Sequence, residues 1–255
     1  MRLARFPRPV VVCVLFLSFA ARPAPAEPPR GTPVGAKAVI YGRVTDFSGR
    51  PVAGADVELK TADFQSAASA RSGADGSYTL TVEEGLYMAL TAVKDYQTKS
   101  LEYWAWGVPA FGDVRVDPRF DRLEVYALNA WRPQGAYPSY QIYFRPMSLT
   151  RTGAAVMKAG GMDGLNKLPW LEIAPDLEAR DIEVRVDGER VDVLRVNKVL
   201  EAGGPAQDLS AYLIQVALPK ASGAGHWVVF DVALVDRATG EMGEGRLYLP
   251  RPQWK

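Results

Sequence analysis

Cysteine and histidine are nearly absent from this chain, and that scarcity removes most metal and nucleophile chemistry at the outset. The only cysteine is Cys13, inside an N-terminal apolar run, and the only histidine is His226. A catalytic zinc site built from a His/Glu/His set, or a sandwich-type iron site with two histidines, cannot be assembled from one imidazole. A cysteine nucleophile is excluded once the N-terminal run is removed. A Ser-His-Asp arrangement is formally open through His226, but no Gly-x-Ser-x-Gly elbow accompanies it. His226 also opens a strand on the parity of Val228 and Phe230, where a lone imidazole reads as a strand-end residue. No candidate catalytic or metal-ligating residue and no cofactor follow from the inventory.

Long apolar runs are also lacking, with one exception. Met1 to Ala26 carries Arg2, Arg5 and Arg8, then Val10 to Ala21, then Ala24-Pro25-Ala26. Basic start, apolar centre and small-x-small end are the layout of a secretory signal peptide. The apolar part is well short of the roughly 20 residues that span a bilayer, so cleavage is expected rather than anchoring. The mature chain is then free of cysteine and extracytoplasmic, periplasmic or secreted, with no integral membrane span. Its stability rests on hydrophobic cores, and its length suffices for two.

An excess of either charge is missing too. Removing Arg2, Arg5, Arg8 and Arg22 from 30 basic residues leaves 26 against 29 acidic ones, a net charge of −3. Such a balance offers no basic field for nucleic acid or anionic lipid.

What the sequence does hold is alternation. Residues 27–37 carry Pro28, Pro29, Pro33, Gly31 and Gly35 and read as a flexible leader. From Ala38 onward short runs of β-branched and aromatic residues are separated by Gly, Asp and Pro, as antiparallel strands require. Asp56-Val57-Glu58-Leu59-Lys60 and Ser77-Tyr78-Thr79-Leu80-Thr81-Val82 alternate cleanly. So does Asp181 to Val186, which Asp187-Gly188 turns back into Val191 to Val199. Tyr212 to Leu218, His226 to Val235 and Gly245 to Leu249 add further strands, with Val228, Phe230, Val232 and Leu234 on one face. The fold class is all-β, with two consecutive β-sandwich domains. The first is expected over 38–131, a linker rich in turn residues over 132–139, the second over 140–250, and a tail over 251–255. Residues 150–179 break the rhythm with four glycines and Trp170. That segment reads either as a functional loop or as an edge strand with a short helix.

One stretch has a particular turn grammar. In Tyr41-Gly42-Arg43-Val44-Thr45-Asp46-Phe47-Ser48-Gly49-Arg50-Pro51-Val52-Ala53-Gly54-Ala55, the Asp46 side chain can bond the backbone that follows. Gly49 can adopt the positive φ that reverses the chain, and Pro51 stiffens the exit. Asp75-Gly76 is a tight turn feeding Tyr78, Leu80 and Val82, and Glu84-Gly85 feeds Leu86 to Val93. Together these residues resemble the carboxypeptidase regulatory-like domain, a transthyretin-like β-sandwich. The resemblance covers roughly 39–93, and 140–250 is similar to an immunoglobulin-like sandwich only in general pattern. What it implies is a structural module, since such domains accompany peptidases, transporters, adhesins or glycan-handling enzymes, and their motif residues carry no chemistry.

The most suggestive constellation is Tyr103-Trp104-Ala105-Trp106-Gly107-Val108-Pro109-Ala110-Phe111. On a strand, Trp104 and Trp106 share one face and form either a ligand-binding platform with Tyr103 and Phe111 or the filling of a core or an interdomain seam. Most acids sit opposite an apolar strand face, as Glu183 does, or in turns, as Asp187 does. Loop oxygens at Asp163 and Asn166, and at Asp236 and Glu241, lack the dense spacing of a calcium loop. The sequence therefore points to a non-catalytic binding or assembly protein of the cell envelope with an envelope protein or glycan as partner. A carbohydrate-binding module using exposed aromatics and a carboxylate-based glycan-active enzyme stand as alternatives.

Overall fold

The computed structural model describes residues 35–135, 137–201, 208–221 and 223–251. The expected signal peptide, most of the leader and all of the tail except Arg251 lie outside them.

The first sandwich is built from β1 (Lys37–Arg43), β2 (Asp56–Lys60), β3 (Ser66–Arg71), β4 (Ser77–Glu83), β5 (Gly85–Val93), β6 (Tyr103–Ala110) and β7 (Val114–Arg115). Alternation does in β4 what it predicts, burying Tyr78, Leu80 and Val82 and exposing the serine and threonines between them. The turn after β1 is held by Asp46. Its Oδ1 accepts the Ser48 hydroxyl at 2.6 Å, the Ser48 N–H at 2.8 Å and the Arg50 N–H at 3.0 Å. Those donors, the Ser48 hydroxyl foremost, hold the Asp46 carboxyl down to about 2. Gly49 completes the reversal at φ 82°.

The second sandwich comprises β8 (Leu123–Trp131), β9 (Ser139–Ser148), β10 (Trp170–Leu171), β11 (Ile182–Val186), β12 (Glu189–Val191), β13 (Val193–Glu201), β14 (Asp208–Ala217), β15 (Trp227–Val235) and β16 (Met242–Pro250). The stretch 132–139, expected as a linker, is the hairpin connection between β8 and β9, which pair antiparallel from Trp131↔Gln141 to Leu123↔Ser148. The second sandwich therefore starts at β8, inside the range first given to the N-terminal domain. Pro133, Gly135 and Pro138 mark a turn in either case, and only the pairing partner separates hairpin from linker.

Residues 150–179 fold as a small cap. It contains α1 (Leu149–Lys158), α2 (Met162–Leu165) and β10, over a satellite cluster of Leu165, Leu171, Ile173 and Leu209. Ser148 caps α1 by accepting the Arg151 N–H, and Glu241 accepts the Thr150 N–H at 2.9 Å. Arg151 reaches Asp236 at 3.1 Å. Asp236 and Glu241 thus anchor this cap.

The two sandwiches share a sheet. β16 pairs in parallel with β6, Gly245↔Trp104 through Leu247↔Trp106, to give one eight-stranded sheet in the order β12-β11-β15-β16-β6-β5-β2-β3. The three-stranded sheet β4-β1-β7 covers one face at one end, over a core that includes Ile40, Leu59, Leu80, Leu90, Tyr103 and Ala105. The five-stranded sheet of β10, β14, β9, β8 and β13 covers the opposite face at the other end, over Val125, Ile142, Phe144, Val184, Ile214, Phe230 and Leu247. Neighbouring residues in β6 and β16 sort accordingly: Ala105 faces one core, while Trp106 packs against the other.

Candidate functional site

Two sandwiches on opposite faces of one sheet create two corners, each where a covering sheet ends and the shared sheet continues bare. The corners are filled differently. One lies on the face carrying Trp104 and Trp106. These indoles stack with centroids 4.8 Å apart and planes 12° apart, and Tyr126 of β8 meets both edge-on at 5.0 and 5.3 Å. Trp104 Nε1 donates to Glu124 Oε1 at 2.9 Å, and Arg145 lies 4.9 Å above the Tyr126 ring while pairing with Glu201 at 3.1 Å. Trp104 is 6% exposed and Tyr103 is 1% exposed, in the first core. Of the aromatics expected to form a platform, Tyr103 is thus covered in the first core and Trp104 in the seam, which Trp106 closes with Tyr126.

Two acids are trapped in that seam. Burial, reinforced by the Glu102 charge, pushes the Glu124 carboxyl up to about 8. Burial pushes Glu102 up to about 7. Glu124 Oε2 and Trp106 Nε1 are both buried without a hydrogen-bond partner.

The opposite corner is open. Its floor is the outer face of β15 and β16, with Trp227, Val229, Arg246 and Tyr248, and its wall is the 109–115 segment carrying Phe111, Val114 and Arg115. The groove has a volume of about 980 Å³, with His226 and Arg251 at its rim. Phe111 and Trp227 face each other across it with centroids 6.4 Å apart and planes 8° apart. A second cavity of about 390 Å³ continues from it through the shared residues Arg115 and Arg246 and adds Arg43, Arg119 and Arg185. Its acids are engaged. Glu244 binds Arg119, Asp231 accepts from Arg246 Nε at 2.6 Å, and Asp117 accepts from Arg115 Nε at 2.8 Å.

Of the four sequence-predicted residues, only Phe111 borders this groove. Trp227, Tyr248, Arg115 and Arg246 escaped the sequence reading, although a signal for some of them was present. Once Val228, Phe230, Val232 and Leu234 are given to the core, Trp227 and Val229 must lie on the other face of β15. A tryptophan there is unusual for a solvated strand face.

Residues 39–118, which span β1 to β7, match the family model of the carboxypeptidase regulatory-like domain. The N-terminal sandwich is a carboxypeptidase regulatory-like domain. The match ends before β8, so the regulatory-like domain contributes the wall of the groove and four strands of the shared sheet. Comparison of the whole sequence with curated proteins gave no match. Among solved structures, the chain is similar to BcpA, the major pilin subunit of Bacillus cereus, at 12% identity and a TM-score of 0.28, over 83% of this chain and 67% of that one. It is similar to a DUF3823 family protein from Bacteroides ovatus at 11% identity and a TM-score of 0.27, over 84% and 100%. For the major pilin SpaD from Corynebacterium diphtheriae the figures are 10%, 0.26, 83% and 66%. No described helix is long and apolar enough to cross a membrane.

Proposed function

We propose that this is a non-catalytic, extracytoplasmic binding protein that holds a saccharide in the open groove between its sandwiches. The observation that carries this reading is the Phe111–Trp227 pair, two nearly parallel rings, one on the groove's wall and one on its sheet floor. Apolar sugar faces stack on such rings, while guanidinium and backbone groups at the rim meet the hydroxyls. The acids lining the arginine cavity are tied to arginines, which leaves no free carboxylate pair there for glycoside chemistry. The sequence-predicted signal peptide supports placement outside the cytoplasm.

Titration of the mature protein against an oligosaccharide panel, followed by tryptophan fluorescence and calorimetry, tests the reading. At least one oligosaccharide is expected to bind, and Phe111→Ala and Trp227→Ala each to weaken it about tenfold, the equivalent of roughly 1.4 kcal/mol. A flat response across the panel, or affinity untouched by both variants, retires the proposal. A second reading, assembly with another envelope protein, is favoured by the exposed Met157, Met162, Leu168 and Trp170 clustered in the cap.

A further inference from the structure

Arginines gather along the groove and its continuation. The two cavities are lined by Arg43, Arg115, Arg119, Arg185, Arg246 and Arg251. Each of them has a carboxylate partner, in order Asp75, Asp117, Glu244, Glu183, Asp231 and Asp187, but two keep N–H donors to spare. Arg115 engages Asp117 through Nε alone and is largely exposed. Arg43 sits 3.6 Å from Asp75, beyond hydrogen-bond distance. Both belong to adjoining strands, since β1 and β7 pair at Tyr41↔Arg115, and both open into the cavity that continues from the aromatic groove. Beneath them Arg246 is fixed by Asp231 at 2.6 Å and by the Tyr248 hydroxyl.

We infer that the ligand of this groove is an acidic saccharide, with a sugar ring against Phe111 and Trp227 and its carboxylate at Arg43 and Arg115. This deepens the saccharide reading and rests on it. Two features carry it: the continuity of the two cavities through Arg115 and Arg246, and the N–H donors that Arg43 and Arg115 keep beyond their single ion pairs. A guanidinium edge presents paired N–H donors that match a carboxylate, and a floor already bound to Tyr248 and Asp231 does not reorganise when the ligand arrives. A neutral glycan would leave those donors to water.

The test compares a hexauronate oligosaccharide, the same oligosaccharide after carboxyl reduction and a sulfated neutral oligosaccharide, each titrated into the mature protein at low and high salt. The hexauronate is expected to bind at least tenfold more tightly than its reduced form, to lose affinity as salt rises, and to lose about tenfold in Arg115→Ala. In that variant the preference for hexauronate over its reduced form should shrink, because the lost contact is to the carboxylate. Binding of the sulfated oligosaccharide alongside the hexauronate also supports the inference, with charge rather than carboxylate shape as the selected feature. Equal affinity for hexauronate and its reduced form overturns it while leaving the saccharide reading intact. Failure of all three to bind, with a neutral oligosaccharide of another type binding, overturns it likewise. Silence across every saccharide removes the underlying reading as well.

Discussion

Gly49 and Gly76 look interchangeable in the sequence, each following a turn-forming residue, but their surroundings separate them. Both have positive φ, 82° and 80°. A Cβ at Gly49 would meet nothing within 4 Å, whereas at Gly76 it would lie 2.4 Å from the Val44 carbonyl oxygen. Gly76 also accepts the Val44 N–H at 2.8 Å, so the clash falls on the backbone that leads out of β1. Gly49→Ala should cost only the left-handed strain, about 1–2 kcal/mol. Gly76→Ala should cost that and the displacement of a paired strand, and exceed it by about 1 kcal/mol or more. Urea unfolding of the two variants measures the difference, and equal midpoints would show that the Val44 contact carries no energy. Residues of this kind were legible in advance because their reasons are local. The Asp46 cap and the Gly49 reversal are written within five residues of chain. The fate of Trp104 was not, because what covers it is Tyr126 and Glu124, twenty residues away on the edge of a different sheet.

At the level of elements, periodicity located strands well and assigned them to sheets poorly. β2, β4, β11, β14 and β15 fall where alternation places them, but alternation reports only that a strand has two faces. It does not say which sheet receives it. Val191 to Val199, read as one returning strand, is divided between β12, beside β11, and β13, which crosses to pair with β14. The cap was legible as one of two readings, an edge strand with a short helix: β10 pairs with β14, and α1 buries none of its residues fully and packs Ala155 and Val156 on the small satellite cluster, too little to decide between helix and loop in advance. The element with the largest consequence is β16. It joins β6 in parallel across about 140 residues of sequence, and glycines let β8 pass close over it, since a Cβ at Gly243 would lie 2.1 Å from the Leu123 carbonyl oxygen. A strand shared in this way couples the two cores. Thermal unfolding is expected as a single transition with equal calorimetric and van't Hoff enthalpies. Two resolved transitions would mean that the β6–β16 pairing melts before either sandwich.

On the scale of the whole molecule, the filled corner decides how rigid the open one is. Trp104, Trp106 and Tyr126 pack the regulatory-like domain against the second sandwich on one face of the sheet, and the groove on the other face is expected to keep its shape only while that seam holds. The seam contains Glu102 and Glu124, whose carboxyls are raised from the ordinary 4.5 to about 7 and about 8 by burial. A folded state that holds these protons more tightly than the unfolded chain is fully stabilised by them below about pH 4.5, and loses that stabilisation as pH rises through 7 and 8. Asp46, held at about 2, acts in the other direction and matters only in acid, where its contribution is lost as pH falls below its ordinary range. Maximal stability should therefore lie near pH 4 to 5, fall from there as pH rises to about 8, by up to about 1.4 kcal/mol per pH unit for each seam acid, and level off above that. Glu124→Gln isolates the effect, because the amide oxygen can still accept the Trp104 Nε1 proton and carries no charge at any pH. Its urea midpoint should show a shallower decline than that of the wild type between about pH 5 and 8. If the two profiles run parallel across that window, Glu124 is not the group whose ionisation loosens the seam. If they diverge only there, the same variant should keep the groove's ligand affinity constant to higher pH than the wild type does, which ties the closed corner to the open one.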